Sequence, residues 1–267
     1  MYGEISHIIV IQSLLDEDEP TGKILYNDII ARGIEQHKQG ITHVYYEVSN
    51  KQDLEDVLSS IVNIARNTPH GILIHFEMHG KHTFLDEENL IPYYKREGND
   101  GLQTSDGSIV TWIELVELFR EINIASNNNL YISLASCHGR YLFEGVEPDK
   151  KSPYKAYVSA SREVINDEIL QSFHCIFENL VKNKNFTASY EICQSSAFYY
   201  KDSEETFKIN ILDIKNRLDT DEAFRDSLIS SEARALGIDD PDILIQIIQE
   251  VYNTIYFKYK AAFDFEQ

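Results

Sequence analysis

Apolar runs and helical patterns alternate along the first two thirds of the chain, and this alternation limits the fold more than any other feature. Short runs rich in isoleucine and valine predict β-strands at residues 6–13, 41–48, 72–78, 130–136 and 156–160. Between them, apolar residues recur at helical spacing over residues 22–39, 50–66, 111–119 and 166–183. Alternating strands and helices are typical of βαβ units. We therefore expect an α/β protein with a mostly parallel sheet between helical layers.

The last third of the chain has a different pattern. Residues 186–200 predict a helix, and so do residues 220–236 and 241–263. Asp240 is a plausible cap of the last helix, with a proline in its first turn. We therefore expect a core of residues 1–200 and a helical C-terminal extension of residues 201–267 that packs on it. Earlier in the chain, the turn-rich segment 86–107 predicts a small hairpin.

Charge narrows the choice of partners. The chain has 44 acidic against 24 basic residues, a formal net charge of -20 at pH 7. Nucleic acid and anionic membrane surfaces repel such a charge, so neither is expected as a partner. No apolar stretch reaches the roughly 20 residues that span a bilayer, which predicts no membrane segment.

The N-terminus and the cysteines indicate a cellular compartment. The first 20 residues lack the basic start of a signal peptide and soon become acidic. Cys137, Cys175 and Cys193 are irregularly spaced, which fits no disulfide framework. We therefore expect a cytoplasmic protein with reduced thiols.

Two predicted strands end in residues that can carry out chemistry. His79 and Gly80 follow one strand, and Cys137 follows another. The carboxyl ends of parallel strands meet at one edge of a sheet, where α/β proteins bind their ligands. A nucleophilic thiol needs a nearby base, which His79 could provide. The N–H groups of Gly80 and Cys137 could stabilise an oxyanion, because glycine has no side chain to keep the substrate away.

Other interpretations of these residues are open. Cys137 could be a buried core cysteine, as cysteines often are. A metal site could form from alternate residues on one strand face, together with residues beyond the strand ends. Its candidate ligands are His75, Glu77, His79, His82, Cys137 and His138. Gly80 has no role in a metal site, and the chain has no HExxH pattern, so we expect no metal.

Both stretches resemble the motifs of caspase-like cysteine peptidases, and of metacaspases in particular, which read H-Y-S-G-H-G and D-S-C-H-S-G. The first motif is matched in register by His75, His79 and Gly80, and the second by Ser136, Cys137 and His138. The resemblance covers roughly residues 6–183 in element order. It implies a caspase-like fold and a cysteine endopeptidase with Cys137 as nucleophile and His79 as proton donor and acceptor.

The resemblance also bears on substrate preference. It places Ser159, Ala160 and Ser161 at the end of the strand that borders the substrate groove. Metacaspases carry an aspartate two residues before the cysteine, which helps to select arginine or lysine at the scissile position. This chain has Ala135 there. A basic preference therefore does not carry over, and we expect a small or apolar residue.

Small caspase-like proteins of this build resemble proteases of bacterial antiviral defence, which cleave a partner such as a pore-forming gasdermin. Ca²⁺ activates some metacaspases, and the acidic loops at residues 16–19 and 86–88 could bind it. A solvated loop is the expected explanation, so no cofactor is expected. Residues 141–154 occupy the region where the family is often cut. The alternative function is an inactive caspase-like scaffold or sensor that binds a partner through its acidic surface.

Overall fold

The computed structural model describes residues 4–68, 70–81, 100–145 and 150–205, with isolated positions between 208 and 250. The chain divides into two compact units. The first is Met1–Val146 with Pro153–Lys201, and the second is Glu147–Ser152 with Asp202–Gln267. The helices predicted at residues 220–236 and 241–263 lie largely outside the described residues, as does the first part of the predicted hairpin.

The first unit is built on one sheet. Numbered in chain order, its strands are β1 (Ile5–Ser13), β2 (Thr42–Glu47), β3 (Gly71–Lys81), β4 (Gly101–Gln103), β5 (Ile109–Thr111), β6 (Leu130–Ala135), β7 (Ala156–Ala160) and β8 (Phe198–Asp202). The main order is β2-β1-β3-β6-β7-β8. The pairs β1–β2, β1–β3, β3–β6 and β6–β7 are parallel. The predicted α/β class with a mostly parallel sheet is therefore confirmed.

Helices cover both faces of this sheet. They are α1 (Thr21–Leu25), a π-helical segment (Tyr26–Ala31), α2 (Arg32–His37), α3 (Lys51–Arg66), α4 (Trp112–Ala125), α5 (Asn166–Asn183) and α6 (Phe186–Cys193). Helices α3 and α4 pack on one face, and the others pack on the opposite face. No helix in the described part of the chain is long and apolar enough to cross a membrane.

Side-chain caps fix where the two helices on the first face begin. The Asn50 side chain accepts a hydrogen bond from the Asp53 N–H at the start of α3, as its sequence position predicts. At α4, Thr111 and Glu114 form a reciprocal capping box. These caps satisfy N–H groups that have no partner inside the helix.

Alternation along the central strands separates two sets of side chains. Ile72, Ile74, Phe76 and Met78 of β3 join the core under α3 and α4. The intervening residues of β3 therefore face α5, because successive side chains of a strand point to opposite faces. His75 accordingly contacts the rings of Phe173 and Phe177, with centroid distances of 4.6 and 4.9 Å. This face carries the polar residues considered below.

The prediction of a continuous helix at residues 186–200 is wrong. The helix expected over residues 186–200 ends at Cys193, and the chain then forms β8. Gln194 has a φ of 43°, a left-handed conformation that ends helices. The Ser195 hydroxyl accepts hydrogen bonds from the N–H groups of Ala197 and Phe198. Phe198 is fully buried, so its burial in the core explains the strand.

The expectation of reduced thiols is also contradicted. Cys175 of α5 and Cys193 of α6 form a disulfide, with their Cα atoms 5.8 Å apart. The two residues are 18 positions apart in sequence. They meet because α6 folds back against α5 directly after a short connection. Cys137 is the unpaired cysteine.

Candidate active site

The register of β3 and β6 brings the two predicted catalytic residues to one place. Glu77 of β3 pairs with Ala135 of β6 in the parallel ladder. His79 and Cys137 each lie two residues further on, and a two-residue step along a strand keeps the same face. Strand β3 continues to Lys81, because its last residues pair with β4 in antiparallel fashion. His79 therefore lies within β3 instead of beyond its end.

The backbones of Gly80 and Cys137 are in direct contact. A Cβ atom on residue 80 would overlap the Cys137 carbonyl oxygen and stand 2.8 Å from its carbonyl carbon and 3.1 Å from its nitrogen. A residue with a side chain does not fit here without moving the backbone. The backbone of residue 80 is thus held against the peptide group of Cys137.

A small cavity of about 70 Å³ connects the candidate residues. Its lining includes His79, Cys137, Ala135, Asp18, Glu77 and Ser136. The structure thus brings Ala135 together with His79 and Cys137. The Ser136 hydroxyl is buried, and it has no hydrogen-bond partner among the described residues.

The His79 imidazole is hydrogen bonded to a carboxylate. Its Nε2 lies 2.8 Å from Oδ2 of Asp18, in the loop that follows β1. The His79 side chain is half exposed and that of Asp18 is 27% exposed. Partial burial would raise the pKa of Asp18. The hydrogen bonds from His79 and Leu15, together with the charge of His79, outweigh burial and lower this pKa.

Cys137 is partly buried, so the interpretation as a sealed core residue does not describe it. Its Sγ lies 3.9 Å from the carbonyl oxygen of Val164. The next residue, His138, has a φ of 57°. Its N–H donates a hydrogen bond to the Arg162 carbonyl at 3.3 Å. The segment after β7 is therefore held alongside the chain at Cys137.

Cys137 also lines a wider depression of about 500 Å³. Gly80 and Lys81 line it, together with Arg162, Val164 and Ile165. The Ile165 side chain is 65% exposed there. The Cys137 thiol thus borders a partly apolar depression.

An ion pair fastens this segment to the first turn of α5. The Arg162 guanidinium donates to both carboxylate oxygens of Glu168, at 2.9 and 2.6 Å. Glu168 also accepts the N–H of Ile165. These hydrogen bonds and the positive charge of Arg162 outweigh the opposing effect of burial and lower the pKa of Glu168 to about 2.

The predicted pocket residues at the end of β7 are placed differently. Ser159 and Ala160 are buried inside the strand, and Ser161 is partly exposed. The next residues, Arg162 to Ile165, line the wider depression, and Val164 also lines the small cavity. Ser159, Ala160 and Ser161 therefore line neither the small cavity nor the wider depression at Cys137.

His75 and Glu77 form a buried network beneath the cavity. His75 Nε2 lies 2.8 Å from Glu77 Oε1, and its Nδ1 lies 2.9 Å from Ser133 Oγ. The Thr21 hydroxyl donates to the other Glu77 oxygen at 2.7 Å. Both ring nitrogens of His75 and both oxygens of Glu77 thus have protein partners.

The other proposed ligands and segments can be placed only in part. No group of three His, Cys, Asp or Glu residues in the described part of the chain could hold a metal ion. His82 and residues 86–88 lie outside the described residues, as do positions 146–149 of the predicted processing segment.

Sequence reasoning missed two partners of the site. In the sequence analysis, Asp18 was named only as part of an acidic loop, although this residue follows a strand at the carboxyl edge of the sheet. That position is the signal that could have identified it. Val164 carries no such signal, because it contributes only its backbone carbonyl.

No protein-family model matches the chain, and no match to it was found among curated proteins.

Proposed function

We propose that the protein is a cysteine endopeptidase with Cys137 as nucleophile and His79 as general acid and base. One observation carries the proposal. His79 and Cys137 line the same cavity, directly beside the contact between the Gly80 and Cys137 backbones. A thiol, an imidazole and two adjacent amides are the groups that acyl transfer needs.

The proposed reaction proceeds in two stages. His79 takes the proton of the Cys137 thiol, and the sulfur attacks the peptide carbonyl. The N–H groups of Gly80 and Cys137 stabilise the negative oxygen that forms. His79 then gives its proton to the leaving amine, so the peptide C–N bond breaks. Water, deprotonated by His79, hydrolyses the thioester and restores the thiol.

The cavity supports the part of the proposed preference that concerns a small scissile residue. Its volume of about 70 Å³ leaves little room for a long side chain. Ala135 forms part of its wall, and both oxygens of Glu77 are already hydrogen bonded to His75 and Thr21. The wider depression along Arg162 to Ile165 would hold the rest of the peptide.

The direct test is labelling of the intact protein with peptidyl acyloxymethylketones that differ in their terminal residue. We expect one adduct, on Cys137, and the fastest labelling with alanine or another small residue. Both Cys137→Ala and His79→Ala should lose the adduct. Absence of labelling by every probe, with and without Ca²⁺, would overturn the proposal.

The resemblance to bacterial defence proteases extends the proposal to a protein partner, such as a gasdermin-like pore former. Co-expression of protease and partner should then kill cells by cleavage of the partner. The Cys137→Ala variant should abolish both. Killing that continues in this variant would remove the proteolytic mechanism.

A scaffold or sensor without catalysis is the second candidate, and one observation favours it. In this structure the Cys137 thiol has the Val164 carbonyl as its hydrogen-bond partner, at 3.9 Å. If the thiol keeps this partner, His79 does not activate it. A scaffold would keep its cellular effect in the Cys137→Ala variant, whereas a protease would lose it.

A further inference from the structure

The loop after β1 holds one carboxylate in a fixed position beside His79. The Asp18 N–H donates to the Leu15 carbonyl at 3.0 Å, which closes a tight turn. The Asp18 Oδ2 atom accepts the Leu15 N–H at 2.9 Å and lies 2.8 Å from His79 Nε2. The backbone of its own turn therefore orients the carboxylate before it meets the imidazole.

This contact decides which nitrogen of His79 carries a proton. A carboxylate only accepts hydrogen bonds, so Nε2 must be the protonated nitrogen in neutral His79. The basic lone pair is then on Nδ1, which is the nitrogen that takes the Cys137 proton in the proposed function. When the imidazole becomes positively charged, the adjacent carboxylate stabilises that charge.

We propose that Asp18 is a positioning residue, which sets the tautomer and orientation of His79 and so completes a Cys–His–Asp arrangement. The inference rests on the proposed function of His79 and Cys137. Asp18 does not touch the reacting atoms and acts only through the imidazole. Its neighbour Asp16 is exposed, so it provides a matched control with the same loss of charge in the same loop.

The opposite role for Asp18 makes the opposite prediction. If Asp18 held His79 away from Cys137, removing the carboxylate would increase the reactivity of the thiol. If Asp18 positions the base, removing it decreases that reactivity. The sign of the change thus separates a positioning residue from an inhibitory contact.

The first measurement is the rate at which iodoacetamide alkylates Cys137, followed by mass spectrometry. This reagent needs no substrate pocket, so its result does not depend on choosing the correct peptide. We expect Asp18→Ala to slow alkylation roughly 10- to 100-fold, less than for a fully buried triad carboxylate because this pair is partly solvated. Asp18→Glu should recover part of the rate, and Asp16→Asn should not change it. An unchanged or faster rate in Asp18→Ala would overturn the inference.

The second measurement is ¹⁵N NMR of the histidine rings, with His79 assigned by the signal lost in His79→Gln. At a pH where His79 is neutral, we expect protonated Nε2 and unprotonated Nδ1 in the wild type, and a changed tautomer population in Asp18→Ala. A wild-type ring protonated at Nδ1 would overturn the inference even in an active protease. If the ring behaves as expected but no peptide probe labels Cys137, the proposed function fails while Asp18 still sets the state of His79.

Discussion

The backbone of Gly80 lies so close to that of Cys137 that a Cβ atom on residue 80 would overlap the Cys137 carbonyl oxygen. The overlapping atom belongs to the backbone of Cys137, so no change of side-chain rotamer can relieve the overlap. The contact joins Gly80, at the end of β3, to Cys137, which follows β6, and these two residues carry the proposed oxyanion donors. A side chain at residue 80 would therefore disturb both the packing of these two segments and the proposed chemistry.

We expect Gly80→Ala to lose nearly all activity, at least about a hundredfold, because the added Cβ would push the backbone at Cys137 away and displace the proposed oxyanion donors. The measurement is the rate of Cys137 labelling by the best peptide probe. Gly33→Ala is the control, because the atoms nearest to its Cβ belong to the Val181 side chain, with one methyl group at 2.7 Å. That variant should alter stability modestly and labelling little. Equal labelling by both variants would contradict the role given to Gly80.

The buried pair of His75 and Glu77 predicts a large effect on stability. Their side chains are 0% and 1% exposed. Glu77→Ala would leave His75 and the Thr21 hydroxyl without their acceptor. We expect the free energy of unfolding to fall by about 3–5 kcal/mol.

Urea unfolding, followed by the fluorescence of the single tryptophan, Trp112, measures this loss in the first unit. Glu47→Ala, at an exposed position in β2, is the control and should change stability by less than about 0.5 kcal/mol. A similarly small loss in Glu77→Ala would show that the pair contributes little.

The ends of the strands can be located from the sequence, because a local pattern of apolar residues determines where each strand lies. Runs of branched apolar residues define β3 and β6, and parallel strands direct their carboxyl ends to one edge. The amino-acid pattern alone is therefore enough to place His79 and Cys137 at the same edge. The residue range of β7 and that of α5 were likewise predicted correctly.

Other parts of the site depend on contacts that no local pattern encodes. The hydrogen bond between Asp18 and His79 joins residues 61 positions apart. The depression beside Cys137 is bordered by Val164 through a backbone carbonyl, which any residue supplies. β8 follows α6 after a short connection, and its first residue, Phe198, is buried in the core. These features arise from tertiary packing, which overrides local propensity.

The disulfide between Cys175 and Cys193 predicts a specific thiol count. In protein prepared without reductant, iodoacetamide should modify only Cys137 of the three cysteines, and peptide mapping should find the linked pair. We expect Cys193→Ser to lower the free energy of unfolding by about 3 kcal/mol, because the bridge closes a loop of 18 residues. Cys175→Ser should have the same effect, and the double variant no more. Three modified thiols in native protein would contradict the bridge.

The ion pair between Arg162 and Glu168 predicts how the attachment of residues 162–165, which line the wider depression, changes with pH. The pKa of Glu168 is lowered from 4.5 to about 2, with hydrogen bonds from Arg162 as the largest cause. A carboxylate with a lowered pKa stabilises the folded state at pH above 4.5, and that contribution is lost as the pH falls from about 4.5 towards 2. The attachment of residues 162–165 to α5 should therefore persist at pH 4.

The ¹³C shift of the Glu168 carboxyl carbon, followed from pH 6 to pH 3, tests this directly. In the wild type it should change little above pH 3, whereas in Arg162→Gln it should titrate between about pH 3 and pH 5. The amide of His138, which donates to the Arg162 carbonyl, should exchange faster in that variant. Lys182→Gln is the control, because Lys182 lies on the same helix but pairs with Glu178. Identical titration of Glu168 in all three proteins would show that Arg162 does not hold this carboxylate, and that the groove beside Cys137 is shaped by other contacts.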